Sequence, residues 1–478
     1  MGELKDKTVK GVFWSAFNRF STQGIQFAFT IIIARILLPE DYGVVAILGI
    51  FIEISNCFID SGFANALIRK LDRTEDDFST AFYYTVAVSV LFYVILWFSA
   101  PYIARFYDLP ILVNVTRVMG LCLIIGSIQS MLGIKLTIDL DYKTISKISL
   151  PTNILTGILG LLMAYKGFGV WTLILPNLIA GVFKTFLLLY YVRWIPKRVF
   201  SWNSFKDMFG YGSKLLLSSL LEKIFGNLHT IIIGKFFTPS LLGVYNRAGT
   251  LAAFPSSNVT SIIQSVSFPV LSRMQNDKLR LQSAYRRFMR MSVFIIFPLM
   301  LGLSSVADPF IRVLLTDKWA VAIYYLQIIC FSMMWYPVHS INLSLLHVNG
   351  RSDYFLKLQI IKKIQTIIIL CITVPMGIAA ICYGGIVDSL LSLIWNTKYT
   401  KKSIGYGIMD QLRDIIPFFL HSLVMFMLVH AVIYFINIVW LKLLIGIIVG
   451  AIYYILGAYM MKFEELSEAL VLLKLKKS

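Results

Sequence analysis

At 478 residues, 58% of them hydrophobic, with a mean hydropathy of +0.76, the chain is far too apolar for a soluble globular protein and reads as a polytopic membrane protein. Its 44 Lys and Arg against 25 Asp and Glu leave a formal charge of +19, which first suggests nucleic acid or an anionic surface as partner. The bases fall on alternate loops, which argues against nucleic acid and assigns most of the charge to topology.

The polar start MGELKDKTVKG runs into a long apolar segment with no small-residue cleavage site, so it is expected to be a retained span and not a signal peptide. The pattern predicts an all-α fold of about 14 transmembrane helices: two six-helix bundles plus two extra C-terminal helices. In the first half the expected spans are 11–37, 43–66, 79–106, 111–135, 147–165 and 169–192, forming an N-terminal lobe over 1–192. Residues 193–207, rich in bases and aromatics, suit an amphipathic linker on the cytoplasmic leaflet. Spans at 208–237, 242–268, 285–314, 320–347, 354–375 and 377–396 make a second lobe over 208–396. Residues 397–478 hold two more spans, 415–436 and 438–461, and a tail, which read as an appendage to the 6+6 core.

Clusters such as Arg69, Lys70 and Arg73, then Arg193, Lys197 and Arg198, then Lys398, Lys401 and Lys402 recur on one side, which the positive-inside rule makes cytoplasmic. Both termini are then cytoplasmic. No loop is long enough for a soluble catalytic domain, so the chain is expected to act within the membrane and not as an enzyme. The five cysteines sit in apolar segments without metal-ligand spacing, so no metal, disulfide or cofactor is expected. Prolines within spans, Pro151, Pro176, Pro255, Pro298, Pro337 and Pro375, would kink helices or free carbonyls that must face protein or water.

One segment is written twice. TIIIARILLPEDYGV, from Thr30 to Val44, returns as TIIIGKFFTPSLLGV, from Thr230 to Val244, with Pro39 and Gly43 matched by Pro239 and Gly243. Each copy ends an apolar segment with a base, breaks at a proline that cannot extend the helical ladder, and restarts at a glycine. Weaker echoes follow: Ala100-Pro101-Tyr102-Ile103 with Asp308-Pro309-Phe310-Ile311, Asp141-Tyr142 with Asp353-Tyr354, and the run from Phe63 to Arg69 with that from Phe268 to Arg273. The duplication implies two similar bundles in parallel orientation, with Pro39 and Pro239 at equivalent external corners and a cavity where the bundles face each other.

Ionisable groups inside spans carry the chemical information, since each costs about 2.5–3.5 kcal/mol at a helix centre on insertion scales. Helical spacing places Ser15, Arg19, Thr22, Gln26 and Thr30 on one stripe, and Glu53, Asn56 and Asp60 on another. Asn177, Gly181 and Lys184 align on the sixth span; Lys214, Ser218, Glu222 and Lys223 lie on the seventh; Arg247 opens the eighth. Lys362 and Lys363 follow on the eleventh and Asp388 on the twelfth. Arg19 and Lys214 are close enough to helix ends to snorkel, and Glu222 beside Lys223 suits an internal ion pair. Glu53 and Asp60 suit either a structural pair with Arg19 or ion coupling, alongside Glu222 and Asp388. His339 and His347 read as core or interface residues. The bases outnumber the acids, so a cavity lined by Arg247, Arg19, Lys184, Lys214 and Lys223 would favour an anionic guest such as a pyrophosphate.

The runs LLPEDYGVVAI (37–47), DSGFANALIRK (60–70), KGFGVWTLILPNLI (166–179), LLGVYNRAGTLAAFP (241–255) and FPVLSRM (268–274) resemble the Wzx-type polysaccharide flippases of the multidrug/oligosaccharidyl-lipid/polysaccharide exporter superfamily, nearest the branch of colanic and teichuronic acid exporters. The resemblance covers nearly the whole chain. It implies two six-helix bundles plus two helices, and alternating-access movement of undecaprenyl-pyrophosphate-linked oligosaccharide repeat units across the cytoplasmic membrane for surface polysaccharide or lipopolysaccharide biosynthesis. Membrane lipids, a polysaccharide polymerase and chain-length machinery are the partners it suggests. Arg247 lies in the segment matching the family's GxYxRA-like motif, and Arg19 matches a base in the first helix. A multidrug or other small-molecule exporter of the same superfamily is the alternative; its usual cationic guests would suit acids where this chain has bases.

Overall fold

The computed structural model describes residues 2–468, with the side chains of residues 2–13, 16, 214 and 352 excepted. Among these residues there are eighteen α-helices and two short 3₁₀ turns, and no strand. Helices α1 (Gly2–Ile36), α2 (Pro39–Asp60), α3 (Phe63–Arg69), α4 (Glu75–Tyr107), α5 (Leu112–Ile138), α6 (Tyr142–Tyr165) and α7 (Trp171–Val192) cover the first six expected spans. Then follow α8 (Trp202–Gly226), α9 (Leu228–Phe236), α10 (Pro239–Arg273), α11 (Lys278–Ser305), α12 (Ala307–Leu315), α13 (Val321–Met333) and α14 (Tyr336–Val348). The chain closes with α15 (Ser352–Thr373), α16 (Ile378–Ile404), α17 (Ile408–Tyr434) and α18 (Val439–Met460). Among the described residues, ten helices or continuous helix pairs are long and apolar enough to cross a membrane, and α8 with α9, bent by 41°, makes an eleventh. Helices α1, α10 and α15 are long enough, at 35, 35 and 22 residues, but their polar stripes keep them below that threshold.

Several expected spans are broken, each for a local reason. The second bends between α2 and α3 at Ser61 and Gly62, both at positive φ (36° and 73°), where the glycine takes the left-handed conformation without penalty. The tenth breaks at Met334 and Trp335, and Pro337 sits in the first turn of α14, where its missing N–H costs nothing. Pro375 likewise lies in a 3₁₀ turn after α15 instead of inside a span. Pro151, Pro176, Pro255 and Pro298 are inside helices, as are Pro101, Pro269 and Pro417.

The chain divides into two compact units, one ending at Gly243 and the other starting at Val244. The first unit therefore includes α8 and α9, because α8 packs on α2, α3 and α4. Within it α1 lies along α6, α6 along α7, and α4 along α5. One end of this unit is an apolar cluster built on Phe63, Leu67, Phe78, Met131, Leu132, Trp194 and Met208.

The amphipathic linker expected over 193–207 takes another form. Residues 193–201 are a non-helical strap on the start of α4, and 202–207 already belong to α8. Trp194 Nε1 donates to Glu75 at 2.6 Å, Lys197 N to Ser79 Oγ at 2.9 Å and Ser201 N to Thr80 Oγ1 at 2.9 Å. Lys135 Nζ lies 4.5 Å from the Trp194 ring centroid and 2.9 Å from Glu75, so the bases and aromatics that suggested a lipid surface serve a protein contact. Trp194 is 9% exposed, and Trp194→Ala is expected to cost about 3 kcal/mol, read as a lower melting temperature in detergent with Trp194→Phe recovering part of it.

In the second unit the last two helices are joined closely to the rest. Helix α16 runs through position 397, and α17 is part of the core, packed along α11 with Phe418 and Met425 buried. Asp414, 5% exposed, accepts from Arg286 Nη2 at 2.6 Å and Arg290 Nη1 at 3.3 Å, and also from Tyr406. Gln411 Nε2 bonds Tyr285 Oη and Asn342 Oδ1 at 3.2 and 3.1 Å, tying α17 to α11 and α14 through buried polar atoms. A purely peripheral helix would not bury an acid and an amide.

The repeated segments begin and end their helices alike. Pro39 opens α2 and Pro239 opens α10; Asp141 caps α6, which starts at Tyr142, and Asp353-Tyr354 lie in the first turn of α15; Arg69 ends α3 and Arg273 ends α10. Within the first unit the copies touch. A Cβ on Gly43 would lie 1.9 Å from the Pro239 carbonyl oxygen, and a Cβ on Gly243 would lie 1.9 Å from that of Pro39. The contact is reciprocal, as a two-fold arrangement requires, and it puts the two proline corners at the same end of the unit.

Candidate functional site

The intramembrane polar residues form separate groups. On α2, Glu53 accepts from Asn227 Nδ2 at 3.0 Å and pairs with Lys223 Nζ at 3.3 Å. Lys223 thus takes an acid from a helix far away in sequence instead of its neighbour Glu222. Asn227 sits at the bend between α8 and α9, and its side-chain amide reaches across to α2 while its Nδ2 also donates to Lys223 O at 3.0 Å. Asp60 and Glu222 are exposed, and with Glu53 and Lys223 they lie within electrostatic range of Cys57. This patch of α2 and α8 therefore has more acid than base. The Lys223 side chain is 48% exposed and that of Glu53 45%, so Glu53→Gln is expected to cost under about 1 kcal/mol of stability, with a Glu53/Lys223 double-mutant cycle measuring the pair.

The remaining expected bases are placed differently. Arg19 is exposed on α1, and its side chain makes no hydrogen bond or ion pair among the described residues. Lys184, half-buried on α7, also has no such partner there. Close by on that helix, Gln129 Nε2 of α5 donates to Gly181 O at 2.7 Å and to Thr185 Oγ1 at 3.2 Å, fixing the face. Lys214 lies on α8, and its side chain falls outside the described residues. Arg247, half-buried in the third turn of α10, holds its guanidinium carbon 6.0 Å from the ring centroid of Trp319, which is fully buried where α12 turns towards α13. A planar guanidinium suits such a stack.

Asp388 on α16 is held by neutral donors from α15. Gln365 Nε2 donates to Asp388 Oδ1 at 2.8 Å, Thr366 Oγ1 approaches at 3.2 Å, and Trp395 Nε1 donates to Gln365 Oε1 at 2.9 Å. His339 is bonded to Ser389 Oγ at 2.9 Å and Asn396 Nδ2 at 3.2 Å, a satisfied core position. Gln365, Thr366, Trp395 and Asn227 escaped the sequence reading. The first two were findable, since Lys362, Gln365 and Thr366 stand at i, i+3 and i+4 on one helix face. Arg117 was also missed; it lies 4.6 Å from the Trp97 ring centroid, on the adjoining α4.

The profile of the family described as "Polysaccharide biosynthesis protein" matches residues 32–324, more than half of the chain. The chain belongs to that family. The match includes Glu53, Asp60, Lys184, Lys214, Glu222, Lys223 and Arg247; Arg19 and Asp388 lie outside it. Among individual polysaccharide biosynthesis relatives, the teichuronic acid biosynthesis protein TuaB of Bacillus subtilis (strain 168) is 29% identical over 305 residues, 62% of this chain and 62% of that one. The aligned region thus spans less than two thirds of TuaB.

Two solved structures establish the fold. The lipid II flippase MurJ, in an inward closed conformation, superposes with a TM-score of 0.75 at 13% identity, covering 94% of this chain and 99% of that one. An inward-facing multidrug resistance transporter of the MATE family follows at 0.61 and 16%, covering 80% and 95%. The chain is therefore an all-α polytopic membrane protein with the architecture shared by these two.

Proposed function

We propose that this polysaccharide biosynthesis protein is a flippase: it moves undecaprenyl-pyrophosphate-linked oligosaccharide repeat units across the cytoplasmic membrane of a bacterium by alternating access, with about fourteen spans and both termini in the cytoplasm. Family membership and the likeness to TuaB support a role in building a surface polysaccharide. The observation that carries the choice of guest is electrostatic. Glu53 is matched by Lys223 and Asn227, whereas half-buried Lys184 has no acid partner among the described residues. An unmatched base at membrane depth costs about 2.5–3.5 kcal/mol unless water or an anion meets it, and a pyrophosphate does so by charge-assisted hydrogen bonds. Arg19 and Lys184 are the candidate phosphate ligands in the first unit and Arg247 in the second. Glu53, Asp60, Glu222 and Asp388 are the candidates for ion coupling. The likeness to a drug exporter is one of fold alone and favours no second reading.

The test is complementation of a flippase-null strain, read as surface glycan, together with flipping of the lipid-linked oligosaccharide in proteoliposomes. Lys184→Ala is expected to lower both by about tenfold or more at matched membrane abundance, with Lys184→Arg close to wild type. Purified wild-type protein that never moves the glycolipid in vesicles would sink the assignment. Reporter fusions after Arg73, Arg198 and Arg290 should read cytoplasmic, and fusions near Glu40, Asp108 and Asp317 external; a cytoplasmic signal at Asp317 would overturn the topology of the second half.

A further inference from the structure

Between α1, α6 and α7 of the first unit lies a cavity of about 250 Å³, lined with amides and hydroxyls and by no charged residue. Small residues make the room. A Cβ on Gly157 would meet the Phe29 ring at 2.1 Å and one on Gly160 would meet Ile33 at 2.8 Å, so α6 lies hard against α1 and the space opens beside that seam. The polar atoms there are underused. Gln26 Nε2 donates to Asn153 Oδ1 at 3.0 Å, and Asn177 Nδ2 donates to Leu173 O at 2.8 Å. Gln26 Oε1, Asn153 Nδ2 and Asn177 Oδ1 have no partner among the described residues. Thr172 is 2% exposed, and its hydroxyl also lacks one. Pro176 sits one turn further along α7 and has no N–H, so the Thr172 carbonyl loses its helical donor as well.

Of the side-chain atoms without partners around this cavity, the Thr172 hydroxyl is buried and would carry a desolvation cost if the space stayed empty, while Gln26 and Asn177 reach it from exposed positions. The set specifies the occupant's chemistry. It is neutral, so it does not select a phosphate. It includes an N–H₂ donor, on Asn153, beside the acceptors of Gln26 and Asn177, a mixture that a bare cation would not tolerate. Groups that both accept and donate at short spacing satisfy it, and those are the hydroxyls of a sugar ring. The volume is below the roughly 300 Å³ at which drug-sized pockets begin, which suits a single ring. We propose that the Gln26–Asn153–Thr172–Asn177 cavity is a sugar subsite that reads one pyranose ring of the glycolipid. This deepens the flippase reading and rests on it.

The test uses the full chain in nanodiscs and native mass spectrometry, with undecaprenyl pyrophosphate as one probe. The other probes are the same carrier bearing one glucose, galactose or N-acetylglucosamine. Wild type is expected to bind at least one sugar-bearing carrier about tenfold tighter than the bare one. Thr172→Val, which keeps the side-chain shape, and Asn153→Leu should each erase that preference while leaving bare-carrier affinity unchanged; Thr172→Ser should keep it. A preference that survives both substitutions, equal losses for bare and sugar-bearing carriers, or no preference in wild type would each overturn the subsite and leave the flippase reading standing. Wild type that binds none of the carriers would sink both.

Discussion

Replacing Arg247 by alanine is expected to abolish glycan export while the protein still inserts and accumulates. The guanidinium carbon stands 6.0 Å from the ring centroid of Trp319, a fully buried ring, at the outer reach of a cation–π contact. A hydrogen bond to a charged group contributes about 1.5–3 kcal/mol, and a bidentate pair to phosphate supplies two, which corresponds to a loss of one hundredfold or more. Arg247→Lys should recover part of the export, because a point cation keeps the Coulomb attraction but loses the planar fork and most of the stacking. Trp319→Phe should lower export less than Arg247→Ala, since it keeps a smaller ring under the guanidinium. Normal surface glycan with Arg247→Ala at matched abundance would make the arginine dispensable and move the anion site elsewhere.

Much of the helical order was legible because membrane spans are long and their breaks are chemical. Pro39 and Gly43 recur as Pro239 and Gly243, and those four residues mark helix starts and a backbone crossing in the structure. The bend at Asn227 falls at a Gly-Asn pair, yet nothing local showed that the Asn227 side-chain amide would reach Glu53 on α2. Helical spacing finds which residues share a face; it does not say which face meets which helix. For that reason Lys223 was paired in sequence with Glu222 and in space with Glu53. The same limit hid the role of α17, whose Asp414 takes both of its ion-pair partners, Arg286 and Arg290, from a helix over a hundred residues earlier. The protein contacts of the strap at 193–201 were hidden for a different reason: bases and aromatics are the residues of a lipid interface and equally those of a cation–π contact, and composition cannot separate the two.

The crossing of the two proline corners makes the second large prediction. At Gly43 and Gly243 the obstacle to a side chain is backbone, the carbonyl oxygens of Pro239 and Pro39, each 1.9 Å from where a Cβ would stand. Side chains can rotate away from an intruder; a helix backbone must move as a body. Gly43→Ala is therefore expected to be nearly as damaging as Gly43→Leu, because the clash is complete at the first carbon, and each should cost about 1–3 kcal/mol or more. The close approach also brings the glycine Cα–H groups to the facing carbonyls, a weak contact at helix crossings that any substitution would forfeit. Because the contact is reciprocal, Gly243→Ala should cost about as much as Gly43→Ala. The double variant should cost clearly less than the sum, since one separation of the two segments relieves both clashes, and coupling of about 0.5–3 kcal/mol is usual for residues that share a backbone shift. Melting temperatures of the two single variants and the double, measured in the same detergent, decide it. Strict additivity, or an alanine that costs nothing while leucine costs much, would mean that the two glycines are not bound into one crossing and that the repeat's proline corners are held by something other than each other.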